Sequence, residues 1–209
     1  MTVRVKICGI NDPAGFDSAV VAGADWVGFN FFPPSPRYVT PSLAADLSAR
    51  CAGGPLRVGL FVDSTPDTIA AALDTVRLDA LQLYGAADMA ALRSRFGLQM
   101  WRAVGVTTAD DLCSVAEGAD RLVVEAKPPA GATRPGGNAA SFDWSLLQGW
   151  KAPAPWMLAG GLTPDNVGEA IRITGASAVD VSSGVEGARG VKDPALIRAF
   201  IAAARRAAA

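Results

Sequence analysis

Val3-Arg4-Val5-Lys6-Ile7-Cys8-Gly9-Ile10 is the first of eight short runs on which the fold turns. A strand alternates its side chains between two faces, so Arg4, Lys6 and Cys8 share one face and Val3, Val5 and Ile7 the other. Comparable β-branched or apolar runs follow at intervals of about 20–30 residues: Asp25–Phe32, Arg57–Val62, Ala80–Leu83, Gln99–Val106, Arg121–Ala126, Trp156–Ala159 and Ala178–Ser182. Ala- and Leu-rich stretches of helical length separate them, the alternation that builds a parallel sheet. Eight such runs predict a closed (β/α)8 TIM barrel. Barrels of this kind commonly take roughly 200–250 residues, so the 209 residues read as one α/β domain spanning 1–209.

Helix starts are written between the strands. Asn11-Asp12-Pro13, Ser64-Thr65-Pro66-Asp67, Thr107-Thr108-Ala109-Asp110-Asp111, Thr163-Pro164-Asp165 and Lys192-Asp193-Pro194 each put a capping side chain beside a proline or an acidic first turn. The longest connections, Pro33–Pro41 and Lys127–Ser141, are rich in Pro, Gly and small polar residues, and no low-complexity linker divides the chain.

Composition removes several classes of function. With 19 basic and 20 acidic residues the net charge is −1, which recruits neither nucleic acid nor an anionic membrane, so a small anion has to be bound by local geometry. No run reaches the roughly 18 uninterrupted apolar residues of a membrane span, and Met1–Lys6 lacks the apolar core of a signal peptide; the expectation is a cytoplasmic protein. Cys8, Cys51 and Cys113 are odd in number and without CxxC spacing, against both a disulfide framework and a zinc site. There is no histidine, so an acid–base catalyst here is Cys, Asp, Glu, Lys or Tyr. Oligomeric state, monomer or homodimer, is not written in the pattern.

In this architecture the active site lies where strands end and βα loops begin. Cys8 ends the first strand; it reads either as a small buried hydrophobe or, with Lys6 two residues earlier to favour a thiolate, as a base. Glu125 interrupts the apolar run Leu122-Val123-Val124-Glu125-Ala126-Lys127. Burial would raise its pKa toward that of a general acid, whereas the structural alternative is a Glu125–Lys127 ion pair closing the strand; Lys127 also has the chemistry for a Schiff base. Three segments suit a phosphate: Pro135-Gly136-Gly137-Asn138, Ala159-Gly160-Gly161-Leu162, and Ser182-Ser183-Gly184-Val185-Glu186 with a short helix expected near Ser183. Each glycine pair alone is equally a tight turn. Asp180 alternates onto the face of Ser182 and is suited to sugar hydroxyls or, alternatively, to holding Lys6. Arg37 fits a substrate carboxylate or a solvated loop position.

These segments together resemble phosphoribosylanthranilate isomerases of tryptophan biosynthesis from end to end: Lys6-Ile7-Cys8-Gly9, Phe32-Pro33-Pro34-Ser35-Pro36-Arg37-Tyr38-Val39, Gly136-Gly137 followed by Ser141-Phe142-Asp143-Trp144, Leu158–Val167, Val179–Glu186 and Gly190–Pro194. The resemblance implies an Amadori rearrangement of a phosphoribosyl-anthranilate substrate, needing no metal or organic cofactor. It makes Glu125 the general acid, Cys8 the general base, and Lys6, Arg37 and Asp180 substrate contacts. Phosphate contacts would come from Gly137, Asn138, Gly160, Gly161, Ser182, Ser183 and Gly184. The chain departs from the family pattern at Glu125, where an aspartate is usual, at Tyr84, ending Leu81-Gln82-Leu83-Tyr84-Gly85, where histidine is common, and in the Gly136-Gly137-Asn138-Ala139-Ala140 loop, which lacks a further usual glycine and lysine. Two rival readings stay open: an isomerase of another aminated phosphosugar, such as an imidazole-carboxamide ribotide, and a non-catalytic phosphosugar-binding barrel.

Overall fold

The structure, a computed structural model, describes residues 2–113, 118–128 and 141–207. Eight parallel strands close on themselves in sequence order: β1 (Arg4–Cys8), β2 (Trp26–Asn30), β3 (Leu56–Val62), β4 (Ala80–Tyr84), β5 (Gln99–Val106), β6 (Arg121–Ala126), β7 (Trp156–Leu158) and β8 (Ala178–Val181). β8 returns to β1 with Asp180 opposite Lys6, and this pairing completes the ring. The helices are α1 (Pro13–Val21), α2 (Pro41–Ala49), α3 (Pro66–Leu73), α4 (Met89–Phe96), α5 (Ala109–Cys113), α6 (Val167–Thr174) and α7 (Pro194–Arg206). Among the described residues the β6–β7 connection carries a 3-10 turn, Trp144–Leu147, in place of a full helix. A small antiparallel hairpin, β9 (Glu186–Ala188) and β10 (Val191–Lys192), follows β8.

Strand boundaries match the sequence reading at β5 and β6 and elsewhere differ by one or two residues, and side chains explain the largest shift. Asp25 stands before β2, its carboxylate accepting the Val5 N–H at 2.8 Å. At the other end Asn30 Oδ1 accepts the Phe32 N–H at 2.9 Å and turns the chain out of the sheet. The same device recurs around the ring: Asp79 accepts the Arg57 N–H and Asp120 the Met100 N–H, each at 2.7 Å. An aspartate before an even strand thus satisfies a backbone donor opening the odd strand beside it. Helix starts follow the sequence signals at Asp12, Thr65 and Asp193, whose side chains accept first-turn N–H groups. Thr163-Pro164-Asp165 is the exception. The helix begins three residues later, at Val167, because Asn166 folds back to accept from Thr163 N and donate to Gly161 O, tying the turn to the loop before it.

Two apolar layers result. Outward-facing strand residues such as Val5, Ile7, Val27, Phe29 and Leu122 pack beneath the helices with Phe16, Ile69 and Phe200. Inward-facing residues Trp26, Val58, Ala80, Trp101, Val123, Met157 and Ala178 fill the barrel floor. There the Trp26 and Trp101 rings meet edge to face at 5.5 Å, and the Arg4 guanidinium lies 3.8 Å from the Trp26 ring centre. No helix among the described residues is long and apolar enough to cross a membrane.

Candidate active site

Above the floor the inward-facing positions change character. Lys6 and Cys8 of β1, Gln82 and Tyr84 of β4, Glu125 of β6 and Asp180 of β8 point into the C-terminal end of the barrel, and of these Lys6, Cys8, Gln82, Glu125 and Asp180 are all buried. The Lys6 ammonium donates to Asp180 Oδ1 at 3.0 Å and lies on the side of the Cys8 thiol. Gly28 on β2 makes the room: a Cβ there would lie 3.1 Å from Cys8 Sγ and 3.2 Å from Lys6 Nζ. Of the two sequence readings of Asp180, holding Lys6 is the one seen. Lys6, read as a substrate contact, is fully buried between its two protein partners, because an ammonium inside a barrel needs a countercharge more than an opening.

The electrostatics bear on the two candidate proton carriers, Glu125 and Cys8. Burial raises the Glu125 carboxyl, the neighbouring Tyr84 hydroxyl lowers it in part, and the balance leaves it at about 7. Burial also pushes the Cys8 thiol above its ordinary value. Lys6 pulls the other way without prevailing, so the thiolate expected from the Lys6-Ile7-Cys8 spacing is not the resting form. The Glu125–Lys127 ion pair does not form. Lys127 leaves the end of β6, its stem crossing Gly105, and its ammonium pairs with Asp111 of α5. That pairing holds the half-exposed Lys127 side chain on the α5 side of the strand end rather than beside Glu125.

Arg37 is buried in the loop after β2, so the solvated-loop reading is overturned. Its guanidinium grips Glu186 in two bonds, from Nε at 2.5 Å and Nη2 at 3.0 Å. Lys192 donates to the same carboxylate and to Ser182 O, both at 2.9 Å. Burial would raise the Glu186 carboxyl, but Arg37, Lys192 and the Gly190 N–H outweigh it and hold it at about 2. Glu186 and Lys192 escaped the sequence reading, where they lay inside quoted segments without roles; two charges at the ends of a hairpin were the available signal.

The glycine loops after β7 and β8 converge. Gly160 and Gly161 have φ of 81° and 64°, which favour glycine. Gly184 sits so close to the first loop that a Cβ would fall 1.8 Å from the Leu162 carbonyl oxygen. The helix expected near Ser183 is a single 3-10 turn, Ser183–Val185. Ser182 Oγ donates to the Cys8 carbonyl at 3.1 Å, linking this loop to the thiol's own backbone. Gly136, Gly137 and Asn138 lie outside the described residues.

Ionisable side chains buried at the C-terminal end of a (β/α)8 barrel, beside two converging glycine loops, mark a barrel enzyme. Residues 5–203 match the family model described as N-(5'-phosphoribosyl)anthranilate (PRA) isomerase, and the chain belongs to that family. It is 56% identical over 205 residues to N-(5'-phosphoribosyl)anthranilate isomerase of Acidiphilium cryptum, covering 98% of this chain and 99% of that one. The crystal structure of the Thermotoga maritima phosphoribosyl anthranilate isomerase superposes with a TM-score of 0.85 at 36% identity, over 98% of this chain and 99% of that one. A further isomerase structure, solved in complex with reduced 1-(o-carboxyphenylamino)-1-deoxyribulose 5-phosphate, superposes with a TM-score of 0.83 at 35% identity and the same coverage.

Proposed function

We propose that this chain converts N-(5'-phosphoribosyl)anthranilate to 1-(2-carboxyphenylamino)-1-deoxyribulose 5-phosphate, with Glu125 as general acid and Cys8 as general base. The observation that carries the residue roles is their shared burial in one barrel mouth. Glu125 gives its proton to the ribose ring oxygen as the C1–O bond breaks and the anilino nitrogen lone pair forms the C=N bond of an iminium. Cys8 thiolate removes the proton on C2, and the C–H electrons become the C1–C2 double bond of an enolamine while the iminium pair returns to nitrogen. Loss of the O2 proton and uptake of one at C1 give the ketone. Isomerisation needs no net oxidant or reductant. Asp180, one oxygen of which takes the Lys6 ammonium, offers the other to a substrate hydroxyl or amine. Arg37, oriented by Glu186, is assigned the anthranilate carboxylate. The phosphate is assigned to the Gly160-Gly161 and Ser182-Ser183-Gly184 loops, whose backbone N–H groups can approach an anion closely.

The pH dependence follows from which group titrates first. The competent form carries protonated Glu125 and ionised Cys8, yet the carboxyl, at about 7, loses its proton before the buried thiol does. kcat/KM therefore climbs with pH up to the Glu125 pKa, stays level, and falls only above the thiol pKa. The lower shoulder belongs to the acid. Between the two pKa values the competent form is a minor one, isomeric by a single proton with the Glu125-carboxylate, Cys8-thiol form.

Fluorescence decay of freshly generated phosphoribosylanthranilate, with and without the purified protein, tests the proposal. Rapid decay that Glu125→Gln abolishes supports both activity and acid. No acceleration by the folded, unmutated protein overturns the activity.

A further inference from the structure

Lys192, at the end of the β9–β10 hairpin, takes no step in the rearrangement, and its side chain, 0% exposed, reaches no substrate. Its stem packs on α1 at Gly15, where a Cβ would lie 2.9 Å from the Lys192 Cβ. The ammonium donates to Glu186 Oε1 and to Ser182 O, both at 2.9 Å, and has Ser182 Oγ at 3.4 Å. Ser182 gives its own hydroxyl proton to the Cys8 carbonyl, so toward Lys192 its oxygen accepts. Three acceptors around one nitrogen match the three protons of an ammonium and leave no direction for an amine lone pair. Burial lowers the Lys192 pKa, and Glu186 raises it back in part.

The hairpin is fixed around this charge. The Gly190 N–H donates to Glu186 Oε2 at 2.9 Å, and the Asn11 amide donates to the Gly190 carbonyl at 3.1 Å. A Cβ on Gly190 would fall 2.6 Å from Pro36 O, beside Arg37, and one on Gly9 would fall 2.6 Å from the Arg37 Cδ. Arg37 and Glu186 are thus held face to face. A guanidinium bound by one carboxylate in two bonds forms a neutral pair, a weak site for a second carboxylate. Here the carboxylate is shared: Arg37, Glu186 and Lys192 together carry one positive charge, buried where water screens it little. A hydrocarbon at position 192 would avoid the cost of burying that surplus charge, so fold stability does not explain the lysine.

We propose that Lys192 is a positioning residue that shares Glu186 with Arg37, so that the cluster keeps one positive charge for the substrate carboxylate and discriminates against aryl groups that lack one. The inference rests on Arg37 receiving the anthranilate carboxylate.

The test compares two probes by calorimetry, the reduced product and its phenylamino counterpart without the carboxylate. Lys192→Met keeps the stem and removes the charge. Kd for the carboxylated probe rises at least about tenfold and that for the phenylamino probe stays within about twofold, so the preference between them collapses. KM rises with the first of these while kcat stays within about threefold, the pattern of lost uniform binding. Glu186→Gln/Lys192→Met, again with one net positive charge, recovers most of the preference, which a merely loosened fold would not do. Equal loss for both probes in folded Lys192→Met, an unchanged preference, or a double variant no better than the single one would each overturn the inference. If Lys192→Met does not fold, the double variant is judged against the parent, whose preference it must retain. Arg37→Met separates the two levels: a preference intact there removes the Arg37 assignment itself, whereas one lost there and kept in Lys192→Met ends this inference alone.

Discussion

The same strands build the floor and the mouth of this barrel, from side chains on the same inward face. β1 contributes Arg4 below and Cys8 above; β5 contributes Trp101 and then Gly105; β6 contributes Val123 and then Glu125. On the floor large rings pack edge to face and guanidinium groups lie over them. At the mouth, small residues leave room for ionisable groups that burial alone would disfavour: Lys6, Cys8, Glu125 and Asp180, with Arg37, Glu186 and Lys192 beside them. The floor gains free energy from packing, and the mouth spends some of it on charge held away from water.

This contrast predicts opposite responses to substitution. Cys8→Ala should lower kcat by about 10²–10⁴-fold, the usual contribution of a positioned base, while the thermal midpoint stays level or rises. Full turnover in this variant would end the assignment of the base. Trp101→Ala on the floor should do the reverse, losing about 3–5 kcal/mol in urea unfolding while folded protein keeps a KM close to the parent's. A stability loss at Cys8 matching that at Trp101 would erase the distinction between the two layers.

Glu125→Gln sharpens it further. A carboxyl raised from 4.5 to about 7 in the folded state weakens folding progressively across that window, and the penalty is complete above it. The glutamine variant should therefore be inactive yet more stable than the parent at pH 8, by up to about 3 kcal/mol, with the difference vanishing by pH 4. Glu186 has the opposite sign. Its carboxyl is held at about 2, so its stabilisation is full above its ordinary value and fades as pH falls from about 4.5 toward 2. The midpoint gap between the parent and Glu186→Gln in thermal melts should narrow over that acid range. A gap independent of pH would assign Glu186 a packing role.

The strands were legible because each inward or outward run announces itself locally, as in Val3–Cys8 and Arg121–Ala126. Alternation also put Cys8, Glu125 and Asp180 on faces that turned out to be shared. What local pattern does not carry is the partner. Arg37 meets Glu186 across 149 residues, and Lys127 turns from Glu125, two residues away, to Asp111 on a neighbouring helix. Tyr84 and Glu125 likewise belong to strands with another between them, so only the closed ring shows that Gly105 of the middle strand stands opposite Glu125. The two readings of Cys8 stayed open for the same reason: Lys6 is visible in the sequence, whereas the extent of burial that outweighs it is a property of the assembled barrel. The Thr163-Pro164 signal marked the right turn, but Asn166 claimed its hydrogen bonds and delayed the helix.

Closure of the ring by β8 also fixes an order in time. The Lys6–Asp180 pair and the Ser182 bond to the Cys8 carbonyl each join residues 174 positions apart. A nascent chain emerging from the ribosome thus carries the Cys8 thiol on a strand with one edge unpaired until the β8 segment has been made. Such an edge is open to mispairing. The thiol is accordingly a natural clock for folding: its reactivity toward an alkylating reagent should disappear in step with arrival of the last strand, long after the first hairpins of strand and helix have formed.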